Sequence, residues 1–246
     1  MPTLPEGWIV PDWPAPDRIR ALITTRRGGN SIGPFASMNV GLCVGDDPAC
    51  VEANRHLLMQ FLPAEPKWLD QVHGTRVVDA ESIAGPIAAD ASVATSPGCV
   101  SVVMVADCLP ILITNRAGNI VAAAHAGWRG LAAGIVENTV RAFDMPPGNL
   151  LAYLGPAIGP SAFEVGDEVR DQFVTVDQAA QHAFQPHRPG KWLADLFLLA
   201  RQRLVKAGLT DIYGGGLCTY SDPARFFSHR RDKVSGRIAA LVWIEY

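Results

Sequence analysis

Runs of apolar residues, bounded by glycine, proline and acidic positions, recur along this chain at lengths that predict several strands. Cys99 to Ala106 is almost continuously apolar, the pattern of a strand covered on both faces. Asn119 to Ala124 reads the same way, Leu150 to Leu154 is a third run, and Arg20 to Thr25 and Ile238 to Tyr246 predict strands near the two ends. Lys67 to Val72 and Thr75 to Ala80 flank His73-Gly74, which predicts a strand interrupted by a bulge or tight bend. Pro110 lacks a backbone donor and is expected to break the ladder before Ile111 to Thr114 resumes it.

Helical spacing alternates with these runs. Leu131, Ile135, Val136, Val140 and Phe143 share one helical face. Asp46-Asp47-Pro48 places an acidic cap and a first-turn proline before a helix from Ala49 to Phe61. Further helices are predicted from about Asp167 and from Leu193 to Ala207, the latter stopped by Gly208. Pro2, Pro5, Pro11, Pro14 and Pro16 resist helix at the start, so residues 1–18 read as an extended lead-in. The mixture predicts an α+β or α/β fold without fixing a strand order.

Composition narrows the setting. Across 246 residues, 48% hydrophobic, no linker or charge block divides the chain, which predicts one domain over 1–246. The five cysteines form no Cys-x-x-Cys pair, and the first residues lack the basic and apolar regions of a signal peptide, so a reducing cytoplasm is expected. No apolar run approaches the roughly 18 residues of a membrane span. A net charge of -3 supplies no general field for nucleic acid or anionic membrane, so any anion must be recognised locally. The one basic concentration, Arg225-Phe226-Phe227-Ser228-His229-Arg230-Arg231-Asp232-Lys233, reads as a solvated loop.

Three stretches each bring a metal-ligating residue to a strand end: Gln71-Val72-His73-Gly74, Ala106-Asp107-Cys108-Leu109-Pro110 and Ala124-His125-Ala126-Gly127-Trp128-Arg129-Gly130. Two imidazoles and a thiolate suit zinc, and three protein ligands leave a tetrahedral ion one position for water or substrate. His125 is placed in a strand-to-helix turn whose glycines permit close approach and whose amides suit an anion. The rival reading is a metal-free hydrolase in which Cys108 attacks and one histidine is the base. A deaminase of the cytidine type lacks its His-x-Glu and Pro-Cys-x-x-Cys signature here. Asp90 could orient a ligand or cap a loop, and Glu164 could be an acid or base or a helix-entry carboxylate. His56, His182 and His187 are expected at the surface, Cys50 and Cys99 in packing.

These motifs, together with Thr25-Arg26-Arg27-Gly28-Gly29, Met38-Asn39-Val40-Gly41, Val44-Gly45-Asp46-Asp47, Ala89-Asp90-Ala91 and Phe226-Phe227-Ser228-His229-Arg230-Arg231-Asp232, resemble the laccase-domain proteins. That family, also called multicopper polyphenol oxidases, is regarded as zinc-dependent purine nucleoside phosphorylases, and the chain is especially similar to its peptidoglycan editing members. The resemblance implies a compact domain of mixed β-sheets layered with flanking helices. It implies that His73, Cys108 and His125 bind the catalytic metal. It also implies phosphorolysis of adenosine, inosine, guanosine and methylthioadenosine, and deamination of adenosine. Phosphate donors are expected from Arg26, Arg129 and the helix start after His125, and Asn39 is expected to hold ribose or serve a turn. Cys43 stands where many relatives have histidine, and His229 where tyrosine is usual. Copper oxidation is disfavoured because a multicopper cluster needs several more histidines than the six present allow. The editing resemblance keeps a second reading open, an amidase removing serine from a muramyl precursor.

Overall fold

The long buried strands sort their residues by destination: successive side chains enter different cores because a strand presents alternate residues to opposite faces. In the computed structural model, which describes residues 3–246, the elements run β1 (Ile19–Ile23), α1 (Pro48–Met59), β2 (Val77–Asp79), β3 (Ala91–Ala94), β4 (Ser101–Val105), β5 (Leu109–Asn115) and β6 (Val121–Ala126). There follow α2 (Trp128–Ala133), α3 (Ile135–Arg141), β7 (Leu150–Leu154), β8 (Glu164–Gly166), α4 (Asp167–Val174), β9 (Phe184–Arg188) and β10 (Lys191–Ala194). The chain closes through α5 (Leu196–Lys206), β11 (Asp211–Gly214), α6 (His229–Asp232) and β12 (Ile238–Ile244).

A six-stranded mixed sheet has the order β11-β7-β5-β6-β3-β2, and an antiparallel sheet has the order β1-β12-β4. Leu109, Ile111 and Ile113 of β5 and Ala122, Ala124 and Ala126 of β6 face a core shared with Leu131, Ile135, Val140 and the apolar side of α5. Leu112, Val121 and Ala123 point the other way, against Val103 and Val105 of β4 and Ile238, Ala240 and Val242 of β12. Ala239, Leu241 and Trp243 leave the opposite face of β12 to meet Met38, Val40 and Leu58. The result is a mixed α/β domain layered as α1, small sheet, large sheet and helices α2 to α5. A third sheet, β8-β10-β9, flanks α4.

The helix over Ala49 to Phe61 is observed as α1, with the Asp47 carboxylate accepting from Ala49 N at 2.9 Å. Several expectations need correcting. Pro110 does not interrupt β5: it pairs in register with His125, and its carbonyl accepts from Gly155 N at 2.9 Å, so the strand uses its acceptor and never needs its missing donor. No continuous strand surrounds His73. Lys67 and Asp70 make isolated bridges, and only Val77–Asp79 forms a strand. The helical face from Leu131 to Phe143 belongs to two helices broken at Gly134, whose φ of 106° is left-handed. Leu193 lies in β10, and α5 starts after Asp195, whose carboxylate accepts from Leu198 N at 2.9 Å. The β9–β10 hairpin was hidden by a polar stretch, although Pro189-Gly190 is its turn signal. The basic-aromatic run is no solvated loop, since Phe226 and Phe227 are fully buried between the sheets.

Candidate metal centre

Cys108 sits where the chain leaves the small sheet at β4 and enters the large one at β5, so one short turn crosses from layer to layer. His125 lies on the neighbouring strand, in β6 itself and just before the turn where it was expected. His73 comes from the irregular loop before β2, with a φ of 58°. The fold brings all three together: one nitrogen of each imidazole and the Cys108 sulfur lie within 4.8 Å of one another. Cys108 Sγ is 3.7 Å from His73 Nε2, and the two imidazole centroids are 4.8 Å apart. Ligands about 2.0–2.3 Å from a tetrahedral zinc stand roughly 3.5 Å from each other, so the donor set fits such an ion.

Asp90 organises two of these candidate ligands at once. Its fully buried carboxylate accepts from His73 N at 2.9 Å, Gly74 N at 2.6 Å and Val72 N at 3.3 Å. The same group accepts from His125 Nδ1 at 2.8 Å, which leaves His125 Nε2 as the nitrogen available to a metal. Burial alone would raise the Asp90 carboxyl, but His125 and the loop amides hold it below its usual range. Gln71 fixes the other end of the loop, donating to Met104 O at 2.8 Å and accepting from Met104 N at 2.7 Å. Burial would likewise favour a neutral thiol and neutral imidazole. Instead Cys108 is drawn down chiefly by His125, with His73 assisting, and His125 is drawn up by Cys108 and Asp90. The surroundings favour the thiolate, the form that binds metal.

Gly127 supplies the room. Its φ of -63° and ψ of 157° are open to any residue, yet a Cβ there would lie 2.9 Å from both Cys108 Sγ and His73 Cδ2. Asp107, φ 91°, holds the opposite side: Thr219 Oγ1 and Arg230 N each donate to its carboxylate at 2.6 Å. Its polar position at the end of an apolar strand was visible in the sequence; its partners, more than a hundred residues away, were not.

The other expected residues are placed unequally. Arg129 is exposed at the start of α2 and stacks on Trp128 at 4.4 Å. Arg26 donates to Ala36 O and Pro223 O and lies over Phe227. Asn39 is wholly buried, donating to Gly41 O and Asp46 Oδ2 and accepting from Gly41 N and Arg237 N, so its amide is saturated within the fold. Glu164 pairs with Arg188 at 2.6 Å and with His187 at 3.5 Å. Cys43 and His229 are exposed, and neither belongs to the ligand cluster. Arg237, not singled out from the sequence, enters β12 beside the Cys108 turn.

The model of the family described as multi-copper polyphenol oxidoreductase laccase matches residues 20–245. The chain is 54% identical over 240 residues to the purine nucleoside phosphorylase PA4543 of Pseudomonas aeruginosa, covering 97% of this chain and 99% of the relative. It is 52% identical to the purine nucleoside phosphorylase YfiH of Escherichia coli, covering 96% and 98% of the two chains. Among solved structures, Neisseria meningitidis protein NMB0706 superposes with a TM-score of 0.95 at 48% identity, covering 98% of this chain and 100% of that one. YlmD from Geobacillus stearothermophilus superposes with a TM-score of 0.84 at 32% identity, covering 94% and 93%.

Proposed function

The chain belongs to the multi-copper polyphenol oxidoreductase laccase family, and from that membership we propose that it is a zinc-dependent purine nucleoside phosphorylase. The observation that carries the reading is the convergence of His73, Cys108 and His125 on one point. The relatives named as purine nucleoside phosphorylases support the substrate class. Adenosine, inosine, guanosine and methylthioadenosine are the proposed nucleosides, with adenosine deamination as a second reaction at the same centre.

Zinc fits the donor set, and when bound it would supply Lewis acidity and an activated water. The chain's own residues do the rest. Asp90 keeps His125 in the tautomer that presents Nε2 and fastens the His73 loop over the centre. Gly127 keeps the space between Cys108 and His73 open. Exposed Val72, beside His73, and exposed Tyr220, beside the Asp107-bonded Thr219, offer apolar surface to a purine. Arg129 is assigned an outer contact to phosphate, while Arg26 and Asn39 are assigned to holding the loops they bond. A multicopper oxidase reading is not adopted: among the described residues one metal-ligating cluster exists, and His56, His182, His187 and His229 stand outside it.

The test measures metal content and phosphate-dependent release of adenine from adenosine for the parent protein and Cys108→Ala. About one zinc per chain with turnover, both lost in the variant, is the expected result. Turnover without bound metal would overturn the zinc mechanism in favour of a cysteine nucleophile. Zinc without nucleoside turnover would overturn the phosphorylase reading and direct the same assay to a muramyl-serine precursor.

A further inference from the structure

A phosphorolysis needs a receptor for its attacking anion, and most arginines around this centre are committed elsewhere. Arg26 is bonded to two main-chain carbonyls, and Arg231 bonds the carbonyls of Thr219, Tyr220 and Phe226 as well as Asp232. Arg129 projects at the surface over Trp128. Arg237 differs from each of these.

Ile238 pairs with Val105, so Arg237 comes level with Ala106, the residue that leads into Asp107 and Cys108. Its main chain is fixed, because Arg237 N donates to the buried Asn39 Oδ1 at 2.8 Å. Its stem is fixed too: it crosses Gly41 so closely that a Cβ there would lie 2.8 Å from Arg237 Cγ. One nitrogen of the guanidinium, Nη1, donates to Ser235 O at 2.8 Å and Gly236 O at 3.0 Å, with Ser235 Oγ at 3.4 Å. Among the described residues Nε and Nη2 make no hydrogen bond. These two form the side edge of the guanidinium, the edge that grips two oxygens of a carboxylate or phosphate in parallel. Among the described residues no carboxylate forms an ion pair with it, although it is half-buried. Burial presses the Arg237 guanidinium towards its neutral form, and negative charge at Cys108 and Asp107 acts in the opposite direction. A partly desolvated cation without a carboxylate is costly to hold, and an arriving dianion would complete it.

We propose that Arg237 binds the phosphate that attacks the nucleoside, through its Nε and Nη2 edge beside the Cys108 turn. The proposal rests on the phosphorylase reading above. In the reaction a phosphate oxygen forms a bond to the sugar anomeric carbon, and the carbon–nitrogen bond breaks with its electron pair going to the purine. The proton of hydrogenphosphate ends on the base, so no oxidant or water is consumed. Arg237 neutralises and orients the nucleophile, which favours the in-line approach.

The experiment compares the zinc-loaded parent with Arg237→Gln and Arg237→Lys. Inorganic phosphate is titrated calorimetrically, and phosphorolysis is followed at varied phosphate and varied nucleoside. Arg237→Gln is expected to raise the KM for phosphate and weaken phosphate binding by at least about tenfold, the scale of a lost bidentate ionic contact. Zinc content and the KM for nucleoside should stay within about twofold of the parent, which a merely structural role would not select. Arg237→Lys keeps the charge and loses the fork, so it should fall between the two. Phosphate affinity unchanged in folded, zinc-loaded Arg237→Gln would overturn the proposal; if that variant does not fold, unchanged affinity in Arg237→Lys does so. A parent that cleaves no nucleoside overturns the phosphorylase reading alone, and the calorimetric comparison then still decides whether Arg237 holds phosphate.

Discussion

Asp90 and Asp107 are both buried carboxylates next to the ligand cluster, and each ties together segments distant in sequence. Their partners differ in kind. Asp90 faces donors on every side: three main-chain amides and a ligand imidazole. Asp107 faces one main-chain amide, Arg230 N, and one hydroxyl, Thr219 Oγ1. An amide can only donate, whereas a hydroxyl donates or accepts as its neighbour requires. The lesson is that equal burial does not mean equal tolerance. What decides is whether the partner can reverse its role.

Three substitutions would break or sharpen this contrast. The largest effect is expected from Gly127→Ala, which leaves the backbone comfortable and fills the space between Cys108 and His73. Its zinc content should fall below about a tenth of the parent's, because a ligand must be displaced to seat the methyl group. Metal analysis alongside circular dichroism checks it, and full zinc in a folded variant would show that the cluster can spread.

Asp90→Asn comes next. In either orientation its new NH2 group confronts donors: His73 N and His125 Nδ1 on one side, Gly74 N and Val72 N on the other. Zinc affinity should drop by about 10–100-fold, the usual consequence of losing a group that orients a ligating histidine. Competition with a chelator measures it.

Asp107→Asn is expected to be the mildest. Its amide can donate to Thr219 while its oxygen still accepts from Arg230 N, and asparagine tolerates a left-handed φ such as the 91° found here. Stability should change by no more than about 1 kcal/mol and zinc affinity by less than about threefold. A denaturant midpoint and the same chelator assay test both. Loss of zinc equal to that of Asp90→Asn would erase the distinction drawn between the two carboxylates.

Much of this architecture was readable along the chain. The runs at Cys99 to Ala106 and Asn119 to Ala124 are strands β4 and β6 with ends shifted by a residue or two, and Leu150 to Leu154 is β7 with the same bounds. The capped helix at Asp47-Pro48 is present as predicted. The readings that failed depended on partners. Pro110 was judged by its missing donor, when what mattered was the Gly155 amide waiting for its carbonyl. The Phe226-Phe227 run was judged by its charged neighbours, when what mattered was the inter-sheet space it fills. Asn39 was read two ways, as a ribose contact or a turn amide, and only the structure shows that its amide bonds Gly41, Asp46 and Arg237.

The sequence by itself determined the types of candidate donor and the strand faces. Imidazole and thiolate are properties of residue types, and alternation is a relation between neighbours two apart. Only the tertiary structure decided that His73, Cys108 and His125 meet, that Asp90 spans two of them, that Gly127 leaves room for them and that Arg237 lies beside their turn. Those facts follow from the stacking of two sheets and the crossing between them at residues 106–108, an arrangement fixed by contacts between segments far apart in the chain. No local pattern can encode such a meeting, because its geometry exists only once both sheets have buried their shared face.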